Sequence, residues 1–482
     1  MKTILGLLLL IFVVVYHTTT IGSFDFLLFD IGCVCLIIAL VFFVRFCRHS
    51  QLAGYWLKPS NLFIIGYLAV NIQYILDYRL GLKNDSSTLI IYPQTLNYCF
   101  IIGGAGLIAF VLGYIWKRNN PSLYTSVDIV SNYKIPSFLM MLHFMLFCLF
   151  ILTINVSDFL LGSAFVDETT QSPFEGLFYL VTMVLVLFIS RQNVHNKSFV
   201  DYLKGFPVVS LTLIILYMVL RMFSGDRGPM IYTGLLLMYG YISATKKKWK
   251  LSIVVLLLMV SSLFVSLLGM ARLGNLNDSF FNRIANSYTA YTSSGRFGDS
   301  GERSILSATE ELGFSFMVNQ EDVKAIEEDG DSFHFGMYQF YSLLVAIPYM
   351  PSYLAETLKI PEDNLSSVGF ANKKHFGNEE STWSIGTTLV GDFYLELGII
   401  GVILGLFITG RFFRFIDYSL FVIPSNRINI YLLFLSLHFA SQSIYIPRSV
   451  LLLNLQKVLL GFILIYTVKK FHLLNNIKNN II

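Results

Sequence analysis

Twelve apolar segments, each long enough to cross a bilayer, constrain this chain more than any other feature. A membrane-spanning helix needs about 20 mostly apolar residues. The candidate segments are 3–21, 24–44, 61–78, 95–116, 136–155, 175–190, 207–223, 229–244, 251–270, 386–409, 429–446 and 449–468. Of the 482 residues, 55% are hydrophobic and 13% charged, which is about half the charged share of a typical soluble domain. This pattern excludes a soluble enzyme and predicts an all-α polytopic membrane protein with about 12 transmembrane helices.

The first segment also has one property of a secretory signal peptide, because Lys2 precedes its apolar run. The run ends in His17-Thr18-Thr19-Thr20 rather than in a small-x-small cleavage site. We therefore interpret it as a membrane helix and treat residues 1–482 as a single integral membrane domain.

Lysine and arginine alternate between the connecting loops in a way that predicts orientation. With the N-terminus inside, every inner loop is basic, and the Lys246–Lys250 cluster is the strongest example. Short outer loops carry few basic residues, and 156–174 carries none. Cytoplasmic loops are enriched in Lys and Arg, so both termini are predicted to be cytoplasmic in a multi-pass protein.

One long polar segment, 271–385, interrupts the regular alternation of helices and short loops. It holds 8 Lys or Arg and 16 Asp or Glu residues, and we expect it to be a large external loop. Its apolar stretch from Phe333 to Leu358 contains Pro348 and Pro351. We interpret that stretch as interfacial or re-entrant, because a further span would move the C-terminal lysines outside. Helices are predicted over Glu302–Val318 and Glu321–Asp331.

No nucleotide-binding or metal-binding motif is present. The chain lacks GxxxxGK[ST], HExxH and paired CxxC motifs, and its five cysteines lie before residue 150 without disulfide-framework spacing. We expect no cofactor, no metal site and no nucleic-acid partner. The inner loops are too short for a catalytic domain, so chemistry is expected outside. A reaction there needs a preactivated substrate, and a lipid-linked diphosphate sugar fits that description.

Arginines on the outer face are the candidate diphosphate ligands, because a guanidinium binds phosphate bidentately. The candidates are Arg221, Arg227, Arg272, Arg296, Arg303 and Arg448. Snorkelling, or pairing with the loop carboxylates, is the alternative for each. Gly225, Asp226 and Gly228 lie between two apolar segments and also fit a simple tight turn.

A base for a sugar hydroxyl would come from a carboxylate or a histidine. The loop offers Glu310, Glu311 and His334. Asp392 and Glu396 are spaced i, i+4 and should lie on one side of a helix. Acids within membrane segments are functional candidates, and an ion pair that fixes helix packing is the alternative.

The arrangement resembles the Wzy-type O-antigen and capsule repeat-unit polymerases. The segments that carry the resemblance are Arg221–Pro229, Met270–Arg272 and the Gly-Asp-x-Tyr-x-Glu-x-Gly-x-x-Gly pattern within Gly386–Gly401. The resemblance implies a glycosyltransferase that moves a growing glycan from undecaprenyl diphosphate onto the next lipid-linked repeat unit. It also implies a chain-length-regulating co-polymerase as partner, besides the lipid bilayer. A lipid-linked oligosaccharide flippase and an O-antigen ligase, or another lipid-sugar transferase, remain alternatives.

Overall fold

A computed structural model describes most of the chain. The described residues are 1–82, 90–116, 135–155, 172–192, 198–224, 227–261, 282, 286, 313–345, 347, 350, 353, 357, 366–377 and 385–481. Within these ranges the protein is helical, and no β-strand occurs.

Seventeen α-helices are used as landmarks below, numbered in chain order. The first eight are α1 Lys2–Thr18, α2 Phe26–Arg48, α3 Pro59–Asn71, α4 Gln73–Arg79, α5 Leu96–Trp116, α6 Ser137–Thr153, α7 Pro173–Arg191 and α8 Phe199–Leu203. The others are α9 Val208–Phe223, α10 Arg227–Thr245, α11 Leu251–Ser261, α12 Phe316–Glu327, α13 Met337–Val345, α14 Ser367–Phe376, α15 Leu389–Phe421, α16 Ile430–Ser441 and α17 Leu455–Ile481.

The helices form two compact units. The first unit comprises Met1–Asn119, Phe297–Phe415 and Ser443–Gln456. The second comprises Asn120–Arg296, Ile416–Gln442 and Lys457–Ile482. The single membrane domain predicted over 1–482 stays a prediction.

Within the described residues, four helices are long and apolar enough to cross a membrane, namely α2, α5 with its preceding 3-10 turn, α7 and α15. The bent pair α3–α4 makes a fifth if it counts as one span, and α1, α6, α9, α11 and α16 are shorter apolar helices. The protein is thus helical, with several helices suited to a bilayer. The count of twelve spans remains a prediction.

Helix α5 is the centre of the first unit, and nearly all of its residues are buried. It contacts α1, α2, α3 and α12. Small residues allow close approach of the neighbouring backbones. Gly113 lies against the backbone of Phe407, and Gly410 lies against the backbone of Phe110, so any side chain at either glycine would overlap the opposite helix.

Three predicted membrane segments differ from the structure. Segment 61–78 is two helices that meet at Ile72 with a bend of 47°. Segment 386–409 is interrupted inside α15, where Leu397 and Gly398 leave the helical conformation. The α-helix of segment 449–468 begins only at Leu455, after short 3-10 turns. Each boundary depends on local backbone geometry that apolar composition does not encode.

Three helices of the first unit come from the predicted external loop. Helix α12 contacts α3, α5 and α14. The sequence predicts two helices here, over Glu302–Val318 and Glu321–Asp331. The single helix α12 covers the end of the first and most of the second. Residues 302–312 lie outside the described part. Helix α13 has only nine residues, too few to span a bilayer. The external position of 271–385 stays a prediction.

In the second unit, α7 contacts α6, α10 and α16, and α9 contacts α6 and α10. The buried side chains are mostly aliphatic and aromatic, but Arg191, Arg221 and Asp417 are buried among them. The rings of His143 and Phe178 stack between α6 and α7.

Candidate functional site

A break in α15 organises the polar centre of the first unit. Leu397 has φ −146° and ψ 25°, and Gly398 has φ +61°. In a continuous helix the carbonyls of Leu395 and Glu396 would accept hydrogen bonds from residues four positions later. Instead they accept from the backbone N–H groups of His334 and Phe335, both at 2.9 Å. The segment before α13 therefore replaces the bonds that the break removes.

Glu396 caps the beginning of α13 with its side chain. Its carboxylate accepts hydrogen bonds from the backbone N–H of Gly336, and from that of Gln339 at 2.8 Å. The first N–H groups of a helix have no partners within the helix and favour a negative charge nearby. Glu396, a predicted catalytic candidate, is thus engaged in holding α13 against α15.

Asp392 lies one turn before Glu396 and is completely buried. Its Oδ1 accepts a hydrogen bond from Ser367 Oγ at 2.7 Å, and its Oδ2 accepts one from Gln339 Nε2 at 2.5 Å. Gln339 thus contacts both acids of the i, i+4 pair, through its side chain and its backbone N–H. The carboxylate of Asp392 joins α13, α14 and α15.

A second buried acid, Asp322 of α12, lies beside this network. Its side chain is completely buried, and neither carboxylate oxygen has a hydrogen-bond partner among the described residues. Oδ2 lies against Gly391, where a Cβ would overlap it. Burial raises the pKa of Asp322 well above its ordinary value, and the nearby Glu321 and Asp392 raise it further.

Neutral amide and hydroxyl groups continue the network from Asp392 towards the bend between α3 and α4. Asn319 Nδ2 donates to Asn71 Oδ1 at 2.9 Å, and Asn319 Oδ1 accepts from Thr388 Oγ1. Thr388 Oγ1 in turn accepts from the N–H of Gly391 at 2.8 Å. These bonds fix α12 to α3 and to the first turn of α15. Asp392 is therefore held by hydrogen bonds within this polar layer, and Asp322 lies beside it.

His334 stands at the edge of the same region. Its Nε2 lies 3.1 Å from the hydroxyl of Tyr338, and its ring contacts Phe370. Partial burial lowers the pKa of His334, which favours the neutral ring that a base requires. His334 lies five residues before Gln339, which donates a hydrogen bond to Asp392.

Glu327 ends α12 in a small cluster with two tyrosines. The hydroxyl of Tyr16 donates to Glu327 Oε1 at 2.5 Å, and that of Tyr394 donates to the same oxygen at 2.6 Å. The two hydroxyls are 3.2 Å apart. The cluster links α1, α12 and α15 and fixes the orientation of the helix that carries Asp322.

The arginines predicted to bind a diphosphate do not all belong to the unit that contains Asp392. Arg221 lies in the second unit, where it makes a two-point ion pair with Glu175, and the hydroxyl of Tyr217 also donates to Glu175. Arg221 therefore follows the ion-pair alternative. Arg448 ends a 3-10 turn of the first unit. Arg227 and Gly228 open α10. The remaining predicted residues lie outside the described part, namely Gly225, Asp226, Arg272, Arg296, Arg303, Glu310 and Glu311.

No metal site is formed by the described residues, since no group of three His, Cys, Asp or Glu side chains there could hold an ion. The segment 271–385 does contain one Asp-x-Asp pair, Asp329-Gly330-Asp331. Lys374 lies 3.5 Å from the carboxylate of Asp329 and 2.5 Å from that of Asp331. These two acids are therefore engaged in ion pairs.

Sequence reasoning missed Asp322 and its neighbours in α12. Asn319, Gln320, Glu321 and Asp322 are four consecutive polar residues, and all four are buried. Helical periodicity would place part of such a run on the solvent side. The largely apolar residues Phe314–Val318 come directly before this polar run. That position does not indicate that both faces of α12 are buried.

Comparison of the chain with known protein families, with curated proteins and with solved structures finds no match.

Proposed function

We propose that this chain is a membrane glycosyltransferase that polymerises lipid-linked oligosaccharide repeat units. The observation that carries the proposal is the buried carboxylate of Asp392, held by Ser367 and Gln339 beside the second acid Asp322. A fixed carboxylate suits the transfer of a glycan to a hydroxyl, because that hydroxyl must lose a proton. The abundance of apolar helices supports a lipid-linked substrate.

In the proposed reaction the acceptor hydroxyl oxygen forms a bond to the anomeric carbon of the donor glycan. The bond from that carbon to the diphosphate oxygen breaks, and its electron pair leaves with the diphosphate. A carboxylate of the site takes the hydroxyl proton. Arginines stabilise the charge that develops on the leaving diphosphate. Because Arg221 already binds Glu175, Arg227, Arg272, Arg296, Arg303 and Arg448 are the better candidates.

The proposed setting is a bacterial inner membrane, with both termini in the cytoplasm and the 271–385 segment outside. The proposed substrate is an oligosaccharide on undecaprenyl diphosphate, and a chain-length-regulating co-polymerase is the proposed partner. The basic inner loops support this orientation. An O-antigen ligase would use the same diphosphate chemistry with a different acceptor.

Purified protein in lipid nanodiscs, supplied with a diphosphate-linked repeat unit, tests the proposal directly. The wild-type protein should produce a ladder of longer lipid-linked products on a gel. Asp392→Asn should reduce this activity on the order of a hundredfold or more, because the site loses its hydrogen-bonded carboxylate. Glu328→Gln is the matched control, because it changes an exposed acid next to α12. A wild-type protein that makes no ladder contradicts the proposal.

A flippase is the second candidate, and the two helix breaks favour it. Transporters often bind substrate where membrane helices are interrupted, and the chain has interruptions at Ile72 and at Leu397–Gly398. Cells that lack the protein distinguish the two functions. Loss of a polymerase leaves single repeat units on the cell surface, whereas loss of a flippase leaves none.

A further inference from the structure

Asp322 combines three properties that a purely structural residue does not need. It is completely buried, and among the described residues neither of its carboxylate oxygens has a hydrogen-bond partner and no ion pair includes it. An isolated buried carboxylate is costly, and proteins usually neutralise it by protonation. The serine, threonine and asparagine side chains nearby bond to Asp392 or to one another instead.

Among the described residues, no lysine or arginine forms an ion pair with Asp322. Glu321, the adjacent acid, bonds to His375 Nδ1 at 2.7 Å. Asp392 lies across the contact with Gly391, and Tyr338 and Cys99 are close enough to interact electrostatically with Asp322. Of these groups, the acids Glu321 and Asp392 disfavour a negative charge on Asp322 when they are ionised.

We propose that Asp322 is the proton-binding residue of this site, which accepts the proton of the acceptor hydroxyl during glycan transfer. This inference rests on the proposed function. The hydrogen bonds from Ser367 and Gln339 fix the carboxylate of Asp392 and favour its charged form. Asp322 has no such bonds, so its carboxylate is the stronger base of the two. As the hydroxyl oxygen bonds to the anomeric carbon, its proton passes to Asp322, and the diphosphate leaves with the electron pair.

The backbone around Asp322 is fixed by contacts with neighbouring helices. Gly391 presents only its backbone to the carboxylate, so the side chain is not clamped by a neighbouring side chain there. Asn319, one turn earlier in α12, is fixed to α3 and to Thr388. The backbone that carries Asp322 therefore stays in place while its carboxylate changes protonation state.

Asp322→Asn tests both whether Asp322 holds a proton and whether it takes part in the reaction. Asparagine has nearly the shape of a protonated aspartate but cannot accept a proton. In the unfolded chain an aspartate has a pKa of about 3.9. The pKa of Asp322 is higher in the folded protein, so the proton is kept to a higher pH. The free energy of unfolding of the wild-type protein should therefore fall as pH rises from about 4 to the folded pKa of Asp322. Below about pH 4 the carboxyl is neutral in both states and this loss disappears.

The thermal midpoint of Asp322→Asn should exceed that of the wild-type protein at pH 7.5, and the difference should vanish towards pH 4. Its rate of ladder formation should fall on the order of a hundredfold or more. Wild-type activity should decrease on the acid side as Asp322 becomes protonated. Glu328→Gln should leave both the midpoint and the rate close to the wild-type values.

Three results would overturn the proposal. Full activity of Asp322→Asn would remove the residue from the reaction. A second contrary result would be a midpoint of Asp322→Asn below that of the wild type, together with a wild-type midpoint that rises with added NaCl or KCl but not with choline chloride. That result would show an ionised carboxylate that binds a cation. A wild-type protein without ladder activity would contradict the proposed function, and with it the reaction role. The comparison of midpoints would still decide whether Asp322 holds a proton.

Discussion

Gly391 lies directly against the carboxylate of Asp322, and a side chain at position 391 would overlap Oδ2 of that acid. The contact brings a polar helix from the long loop segment, α12, against the first turn of α15. Gly391 also donates its N–H to Thr388, so its backbone is fixed from two sides. The close approach of α12 and α15 therefore depends on glycine at this position.

We expect Gly391→Ala to destabilise the protein by about 1 to 3 kcal/mol, the usual range for overpacking a buried site. The added methyl group must displace Asp322 or separate α12 from α15. The measurement is the thermal midpoint of the purified protein in detergent. Gly176→Ala is the matched control, because a Cβ at position 176 of α7 would meet no atom within 4 Å. Equal midpoints for the two variants would contradict the close contact at Gly391.

Glu396→Gln should lower the free energy of unfolding by about 1 to 2 kcal/mol, because one of two backbone N–H groups at the start of α13 would lose its acceptor. The amide nitrogen of glutamine would then face either Gly336 N–H or Gln339 N–H. Limited proteolysis is the more direct measurement, since a loosened α13 should be cut earlier between 333 and 345. An unchanged cleavage rate would argue against the capping role of Glu396.

Apolar length predicted much of the helical framework. The segment 95–116 corresponds to α5, Leu96–Trp116, and 207–223 corresponds to α9, Val208–Phe223. Both helices are mostly apolar, so hydrophobicity indicates their approximate extent, although Arg221 lies in the last turn of α9. The sequence also indicated Asp392 and Glu396 correctly as neighbours on one side of a helix, and Gln339 contacts both.

The break at Leu397–Gly398 could not be predicted in the same way. A glycine is common in apolar helices, and this one adopts φ +61° only because His334 and Phe335 supply N–H groups to the free carbonyls. That bond pattern joins segments far apart in sequence. Asp322 was missed for a similar reason, because its burial depends on α3, α5, α14 and α15 rather than on the pattern within α12.

Arg221 and Glu175 should behave as a structural pair. Removing either side chain leaves the other charge partly buried and unpaired, which is costly. Arg221→Ala and Glu175→Ala should each lower the thermal midpoint, and the double variant should lose less than the sum of the two. A double-mutant cycle on the midpoints measures this coupling. Additive losses would show that the two residues do not depend on each other.

Arg272→Lys should separate the proposed polymerase from the other candidate functions. If Arg272 binds the leaving diphosphate, lysine keeps the charge but loses the bidentate fork, and the rate should fall on the order of a hundredfold. The surface glycan should then collapse from a ladder to single units, with normal amounts of protein in the membrane. Arg221→Lys is the comparison, because Glu175 occupies this guanidinium, and its ladder should persist wherever the protein is stable. An unchanged ladder in Arg272→Lys would exclude this arginine from the diphosphate site. A surface without even one repeat unit would favour a flippase, and long chains left on the lipid carrier would favour a ligase.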